Sequence, residues 1–232
     1  MKNFAIILAS GIGARLGLDI PKQFYKIKGK SVLEYSILAF HNNSQIDEII
    51  IVSHPNYISN VKEIVEKGDY KKVTKIVSGG KTRQESSYNG IFSIEETNAN
   101  ILIHDSVRPF VSNRIINDCI NALNEYNAIN VAIDSSDTII EVDEDNCIKN
   151  IPQRKALKRV QTPQGFKLEI IKKAHELAKN NENLTFTDDC GIVQEFKLAK
   201  IKVIEGDENN IKITYPTDIK LAENIIDICD RI

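Results

Sequence analysis

Tryptophan is absent from the 232-residue sequence, methionine occurs only at its first position, and cysteine appears four times. Cys119, Cys147, Cys190 and Cys229 lie far apart, with no Cys-x-x-Cys pair and no Cys/His spacing of the kind that holds zinc. That excludes a disulfide framework and a metal finger, and leaves reduced, partly buried thiols of a cytoplasmic protein. No signal peptide and no apolar run of transmembrane length is present, so no membrane partner is expected. An excess of one charge is missing too. Lys and Arg number 30 against 32 Asp and Glu, and the basic residues are scattered, which argues against a nucleic-acid partner. A Gly-x-Ser-x-Gly nucleophile elbow, a P-loop, internal repeats and low-complexity linkers are likewise absent. What remains is one domain over residues 1–232, with 42% apolar residues, ample for a core.

The stretch that organises the chain lies near its start. An apolar run over 4–9 reads as a buried strand, and it leads through Ala9 and Ser10 into Gly11, Gly13 and Arg15, closed by Pro21, Lys22 and Gln23. The spacing Gly-x-Gly-x-Arg-x-Gly fails as a dinucleotide fingerprint, because the third glycine would fall on Leu16. Glycines let phosphate approach backbone N–H groups, and two cations follow. Spacing alone also allows a plain glycine turn; Arg15 and Lys22 favour a triphosphate loop.

Downstream, strand and helix patterns alternate. Ser31 and Glu34 form a capping box for a helix to about residue 41; 48–53 is an apolar strand; a helix over 56–66 and a strand over 71–77 follow. Thr82 and Glu85 make a second capping box, opening a helix to about 96. Strand 100–104, a helix from Ser112 or Asn113 to 126, and strand 131–133 continue the series. Continuous apolar strands between helices predict a three-layer α/β fold, Rossmann-like, with a mostly parallel sheet covered on both faces. At about residue 135 the pattern changes. Segments 138–142 and 147–151 flank an Asp143–Asn146 turn and predict a β-hairpin, either an arm over 135–160 projecting from the core or an ordinary edge hairpin. The charged segment 149–159 then leads to QTPQ at 161–164. Helices over 168–179 and 187–196, a strand over 200–204 and a final helix entered at Pro216 complete the chain.

Ligands of open α/β sheets bind at the carboxyl ends of the strands. Three polar signatures fall there: 8–23, Ser78-Gly-Gly-Lys-Thr-Arg83, and His104-Asp-Ser-Val-Arg-Pro109. The second offers Gly80, Arg83 and Ser86 for base or ribose contacts. The third offers Asp105, placed for a ribose hydroxyl, a metal or an acceptor hydroxyl. His104, Asp105 and Ser106 cannot be a hydrolytic relay, since neighbours on a strand point to opposite faces. Alternation over 210–214 predicts a strand with Asn210, Lys212 and Thr214 on one face.

Taken together these motifs resemble the alditol-phosphate cytidylyltransferases, a family that includes the methylerythritol-phosphate and ribitol-phosphate enzymes. The match rests on ASGIGAR at 9–15, PKQF at 21–24, Gly79-Gly80 with Arg83 and Ser86, HDSVRP at 104–109, Asp137-Thr138, QTPQ at 161–164, Thr187-Asp188 and NIKIT at 210–214. These run in the family's order over essentially the whole chain. The resemblance implies transfer of CMP from CTP to an alditol phosphate with Mg²⁺ and release of pyrophosphate. By it, Arg15, Lys22 and Lys212 are catalytic, and Ala9, Ser10, Gly11, Gly13, Gly80, Arg83, Ser86, Asp105 and Ser106 bind CTP. Arg108, Thr138, Arg154, Thr187 and Thr214 would serve the acceptor, with Thr138 and Arg154 reaching the partner's site in a homodimer formed through the arm. No direct metal ligand is assigned.

Ser106 within HDSVRPF and Ile151-Pro-Gln-Arg154, which lacks the acidic residue common before this arginine in methylerythritol enzymes, resemble the ribitol branch. Bifunctional members of that branch carry an appended reductase. No counterpart is found in these residues, so a separate reductase is expected to supply ribitol 5-phosphate. That branch serves capsule or teichoic acid polymers; the other serves isoprenoid synthesis. A sugar-1-phosphate nucleotidylyltransferase shares the glycine-rich opening but not the cytidine and arm motifs.

Overall fold

Along the first strand, β1 (Lys2–Ala9), side chains alternate between two cores. Phe4, Ile6 and Leu8 enter one apolar cluster, while Ala5, Ile7 and Ala9 enter the other. A strand buried on both faces needs covering layers on both sides, and the computed structural model has them; it describes residues 1–12, 20–181 and 184–229. One cluster packs α1 (Val32–His41), α2 (Ile58–Lys67) and α4 (Asn113–Ala122) on the sheet; the other packs α3 (Arg83–Phe92), α5 (Leu168–Lys179) and α6 (Asp189–Glu195). The three-layer α/β expectation holds.

The remaining strands are β2 (Lys26–Ile27), β3 (Lys30–Ser31), β4 (Glu48–Ser53), β5 (Val73–Ser78), β6 (Ala99–Asp105), β7 (Ala128–Asp134), β8 (Glu141–Val142), β9 (Ile148–Asn150), β10 (Lys158–Lys167) and β11 (Ile201–Glu205), before the last helix, α7 (Pro216–Cys229). The main sheet runs β11-β7-β10-β6-β1-β4-β5. Strands β6, β1, β4 and β5 are mutually parallel, β11 is parallel to β7, and β10 runs antiparallel to both its neighbours.

Strand β10 is the main departure from the sequence reading, which ran a charged segment into QTPQ. Its pattern, KRVQTPQGFK, holds a proline and a glycine, both ordinarily poor in a strand interior. The structure accommodates them with a cis Thr162–Pro163 bond and a register shift between Val160 and Gln164. Residues 210–214 are not a strand either. Asn210 is buried and hydrogen-bonded, and Ile213 sits in a third cluster with Ile27, Val107, Ala222 and Ile226, so the segment is held by side chains. The Ser31/Glu34 capping box is complete, but the second box is half formed. Thr82 accepts from Glu85 N–H, whereas the Glu85 carboxylate takes the N–H of Lys81. Helix α3 ends at Phe92 and α4 at Ala122, each one turn earlier than its periodicity suggests.

The hairpin is real but short: β8 and β9 pair antiparallel around the turn at 143–146. Every residue from 136 to 151 is exposed, which favours the arm over an edge strand of the main sheet. No helix among the described residues is long and apolar enough to cross a membrane.

Candidate active site

Because β1, β4, β5 and β6 are parallel, their carboxyl ends open on one edge, and the loops leaving them enclose a cleft of about 550 Å³. Ser10, Gly11, Lys22, Gly80, Arg83, Asp105, Ser106 and Lys212 line it, as the sequence predicts. Gly13 and Arg15 lie outside the described residues.

Local bonds explain the shape. After β1 the chain returns in a 3-10 turn over Lys22–Phe24, where buried Gln23 donates through Nε2 to the carbonyls of Ala9 (2.7 Å) and Gly11 (3.0 Å). This side-chain clamp substitutes for a strand partner. Lys22 Nζ donates to the carbonyl of Ile213 at 3.0 Å, which brings the first loop beside the segment that carries Lys212. On the opposite wall, Ser10 Oγ donates to Ser86 Oγ at 2.8 Å. Ser86 Oγ accepts from Gly80 N–H and donates to the Thr82 carbonyl. A Cβ on Gly79 would stand 2.5 Å from Ser10 Cβ, so close approach of these loops requires glycine there. Ala9 and Ser86 are therefore buried supports behind the wall and do not themselves line it.

Charges alternate across the floor. Lys212 Nζ lies 2.7 Å from Asp105 Oδ2, and Arg83 Nε lies 3.4 Å from Asp105 Oδ1. Burial alone would raise the Asp105 carboxyl, but Arg83 and then Lys212 overrule it and hold it well below the usual carboxylate range. Asp105 stays ionised. Of the described residues lining the cleft, Lys22, Lys81, Arg83 and Lys212 are cationic and Asp105 alone is a carboxylate, a balance suited to a polyphosphate.

His104 faces away from the cleft, its ring 5.1 Å from that of Phe40. Burial brings its pKa down to about 4, so the ring is neutral. Since the Arg108 carbonyl can only accept, Nε2 carries the proton to it (2.9 Å), and Nδ1 accepts from Thr162 Oγ. Thr162 Oγ in turn accepts from Asp105 N–H at 3.1 Å. No hydrolytic relay exists here, as strand geometry predicts.

Several predicted acceptor residues stand elsewhere. Arg108 is a brace: its guanidinium donates to the carbonyls of Asn210 (2.8 Å) and Val160 (3.2 Å), fixing the loop before Lys212. Thr138 and Arg154 are exposed on the arm, where Arg154 donates to the Ser136 carbonyl. Thr187 is exposed just before the Asp188 cap of α6, and Thr214 N–H binds Asp218. None of these five lines the cleft. Conversely, His54 lines it unpredicted, and Lys81, part of the signature over 78–83 but given no role there, lines it too. His54 follows β4 directly, so the strand-edge rule that found Gly11 would also have found it. Asn210 and Asp189 act from behind, and burial of a polar side chain leaves no periodic trace.

Mg²⁺ is compatible with this donor set in one manner only. Among the described residues no group of three or more His, Cys, Asp or Glu could hold a metal, so there is no protein cage. A single carboxylate, Asp105, beside room for phosphates fits an ion that keeps water and substrate oxygens as ligands.

The profile of the family IspD: 2-C-methyl-D-erythritol 4-phosphate cytidylyltransferase matches residues 3–228. A 2-C-methyl-D-erythritol 4-phosphate cytidylyltransferase of Thermobifida fusca is 38% identical over 229 residues, covering 96% of this chain and 92% of that one. The bifunctional ribulose 5-phosphate reductase/CDP-ribitol pyrophosphorylase Bcs1 of Haemophilus influenzae is 41% identical over 228 residues, covering 97% of this chain and 48% of that protein. Among solved structures, 4-diphosphocytidyl-2C-methyl-D-erythritol synthase of Anaerococcus prevotii superposes with a TM-score of 0.86 at 32% identity, covering 97% and 98% of the two chains.

Proposed function

The chain belongs to the IspD family of cytidylyltransferases, CTP-dependent enzymes acting on an alditol phosphate, and on that premise we propose that its acceptor is ribitol 5-phosphate, giving CDP-ribitol and pyrophosphate. The observation that carries the acceptor is Ile151-Pro-Gln-Arg154 on the arm, without an acidic residue before the arginine; Ser106 supports it. A second reading, 2-C-methyl-D-erythritol 4-phosphate as acceptor in isoprenoid synthesis, is favoured by the family profile and by the name of the Thermobifida relative.

The chemistry asks for positioning and fixed positive charge. An oxygen of the acceptor phosphate attacks the α-phosphorus of CTP in line, the bond to the bridging oxygen breaks, and pyrophosphate leaves. Lys22, donating to the Ile213 carbonyl, and Lys212, donating to the Asp105 carboxylate, face the phosphates from two loops and offset repulsion between the two anions. Asp105, with phosphate oxygens of the substrates, would hold a Mg²⁺ ion, which would supply positive charge at the reacting phosphates when bound. The loops bearing Gly11 and Gly80 hold the nucleotide.

The arm exposes Ile139, Ile140, Val142, Ile148 and Ile151, an apolar surface that a second copy of the chain would cover. In such a homodimer Thr138 and Arg154 enter the partner's cleft and hold the acceptor phosphate, which accounts for their distance from the cleft of their own chain.

Pyrophosphate release from CTP and Mg²⁺, with each alditol phosphate offered separately, tests the reading. A strong preference for ribitol 5-phosphate is expected. Preference for methylerythritol phosphate replaces the acceptor, and turnover with neither sends the search to other alditol phosphates.

A further inference from the structure

Behind the cleft wall lies a carboxylate that no motif singles out. Asp189, in the first turn of α6, is wholly buried, and its oxygens take three donors: Arg83 Nη1 at 2.7 Å, Ser87 Oγ at 2.6 Å and His175 Nε2 at 2.9 Å. Its own N–H donates to Gln164 Oε1 at 3.0 Å. A buried carboxylate is costly unless paired, and this one is paired with a cation whose other edge looks into the cleft. Arg83 is therefore held at two points, Nη1 on Asp189 and Nε toward Asp105, a span available to a planar guanidinium and not to an ammonium.

We propose that Asp189 is a positioning residue for nucleotide binding, holding Arg83 back so that Asp105 is shared between Arg83 and Lys212 and remains open to the substrate. This rests on the cytidylyltransferase reading. Without the Asp189 charge, Arg83 retains one carboxylate and turns fully onto Asp105, competing with Lys212 and with ligand for the same oxygens. Asp189 does not line the cleft. Its loss therefore weakens binding in the ground state and the transition state alike, which raises KM and spares kcat.

The test is steady-state turnover of Asp189→Asn beside Ser87→Ala, with thermal unfolding of both. Ser87→Ala removes a donor from the same carboxylate without touching Arg83. Asp189→Asn is expected to raise KM for CTP about tenfold, the scale of one lost hydrogen bond to a charged group, with kcat within about threefold of the unsubstituted chain. Ser87→Ala is expected to lower the melting temperature and leave KM in place. KM for CTP unchanged in Asp189→Asn, or raised equally by Ser87→Ala, overturns the proposal. Should Asp189→Asn not fold, Asp189→Glu keeps the charge and displaces it by one methylene; a raised KM supports the role and an unaltered one overturns it. Failure of the unsubstituted chain to turn over CTP with any alditol phosphate would refute the functional reading instead.

Discussion

At the cleft, Asp105 and Asp189 are buried and engaged on nearly every side by Arg83, Lys212, Ser87 and His175, while Gln23, Ser86 and Arg108 tie the enclosing loops together. In the arm, residues 136–151 are all exposed, five large apolar side chains face solvent, and the hairpin pairs over only a few residues. The cleft pairs the charges of Arg83, Asp105, Asp189 and Lys212 within one chain; the arm leaves apolar surface exposed and rests the Arg154 guanidinium on the Ser136 carbonyl. Residues assigned to the nucleotide thus sit where one chain orders them, while Thr138 and Arg154, assigned to the acceptor, sit on the exposed arm.

The largest effect expected is at the cleft. Lys22→Ala or Lys212→Ala should cut pyrophosphate release on the order of 10²–10³-fold with the fold retained, the scale of losing one preorganised donor. Near-normal turnover would remove that lysine from the chemistry. The arm should respond differently. Arg154→Ala is expected to raise KM for the alditol phosphate about tenfold or more and leave KM for CTP alone. Ile148→Asp should abolish the proposed dimer in sedimentation without lowering the melting temperature of the isolated chain, since the side chain is exposed there. Equal effects of Arg154→Ala on both substrates would erase the contrast between the regions.

A smaller effect concerns His104. Its folded pKa, brought down by burial to about 4, lies below the unfolded value of about 6.5. As pH falls from about 6.5 towards 4 the unfolded chain takes the proton first, so stability is lost across that window, at up to about 1.4 kcal/mol per pH unit. His104→Gln should flatten the pH dependence in urea unfolding at pH 7, 6 and 5; parallel curves would show that the ring does not titrate this way. Asp105 and Asp189, held below the carboxylate range, contribute stability above about pH 4 that is lost only in more acid solution. The smallest effect is at the capping box, where Ser31→Ala should cost about 1 kcal/mol by thermal unfolding and leave turnover unchanged.

Much of the fold was legible before the structure. The alternation of Phe4, Ile6 and Leu8 with Ala5, Ile7 and Ala9, the caps at Ser31 and Ser112, and the helix at Leu168–Lys179 are local patterns, written where they act. So are Gly11, Gly80 and Asp105, because parallel strands deliver their carboxyl ends to one edge. Strand β10 was hidden because Pro163 and Gly165 contradict strand propensity, and only pairing with β6 and β7 overrides them. Arg108 shows the same limit: the resemblance assigns it to the acceptor, while in the structure the carbonyls of Asn210 and Val160 claim its donors.

Periodicity, caps and glycine spacing therefore determined the layers, the order of most elements and the edge that holds the site, since each is set by neighbours in the chain. Which side chains enter the cleft, which brace it and how Asp189 reaches Arg83 were decided by tertiary structure alone. Those contacts join residues as many as 191 positions apart, as Lys22 and Ile213 are, and a buried polar group finds its partner through the fold.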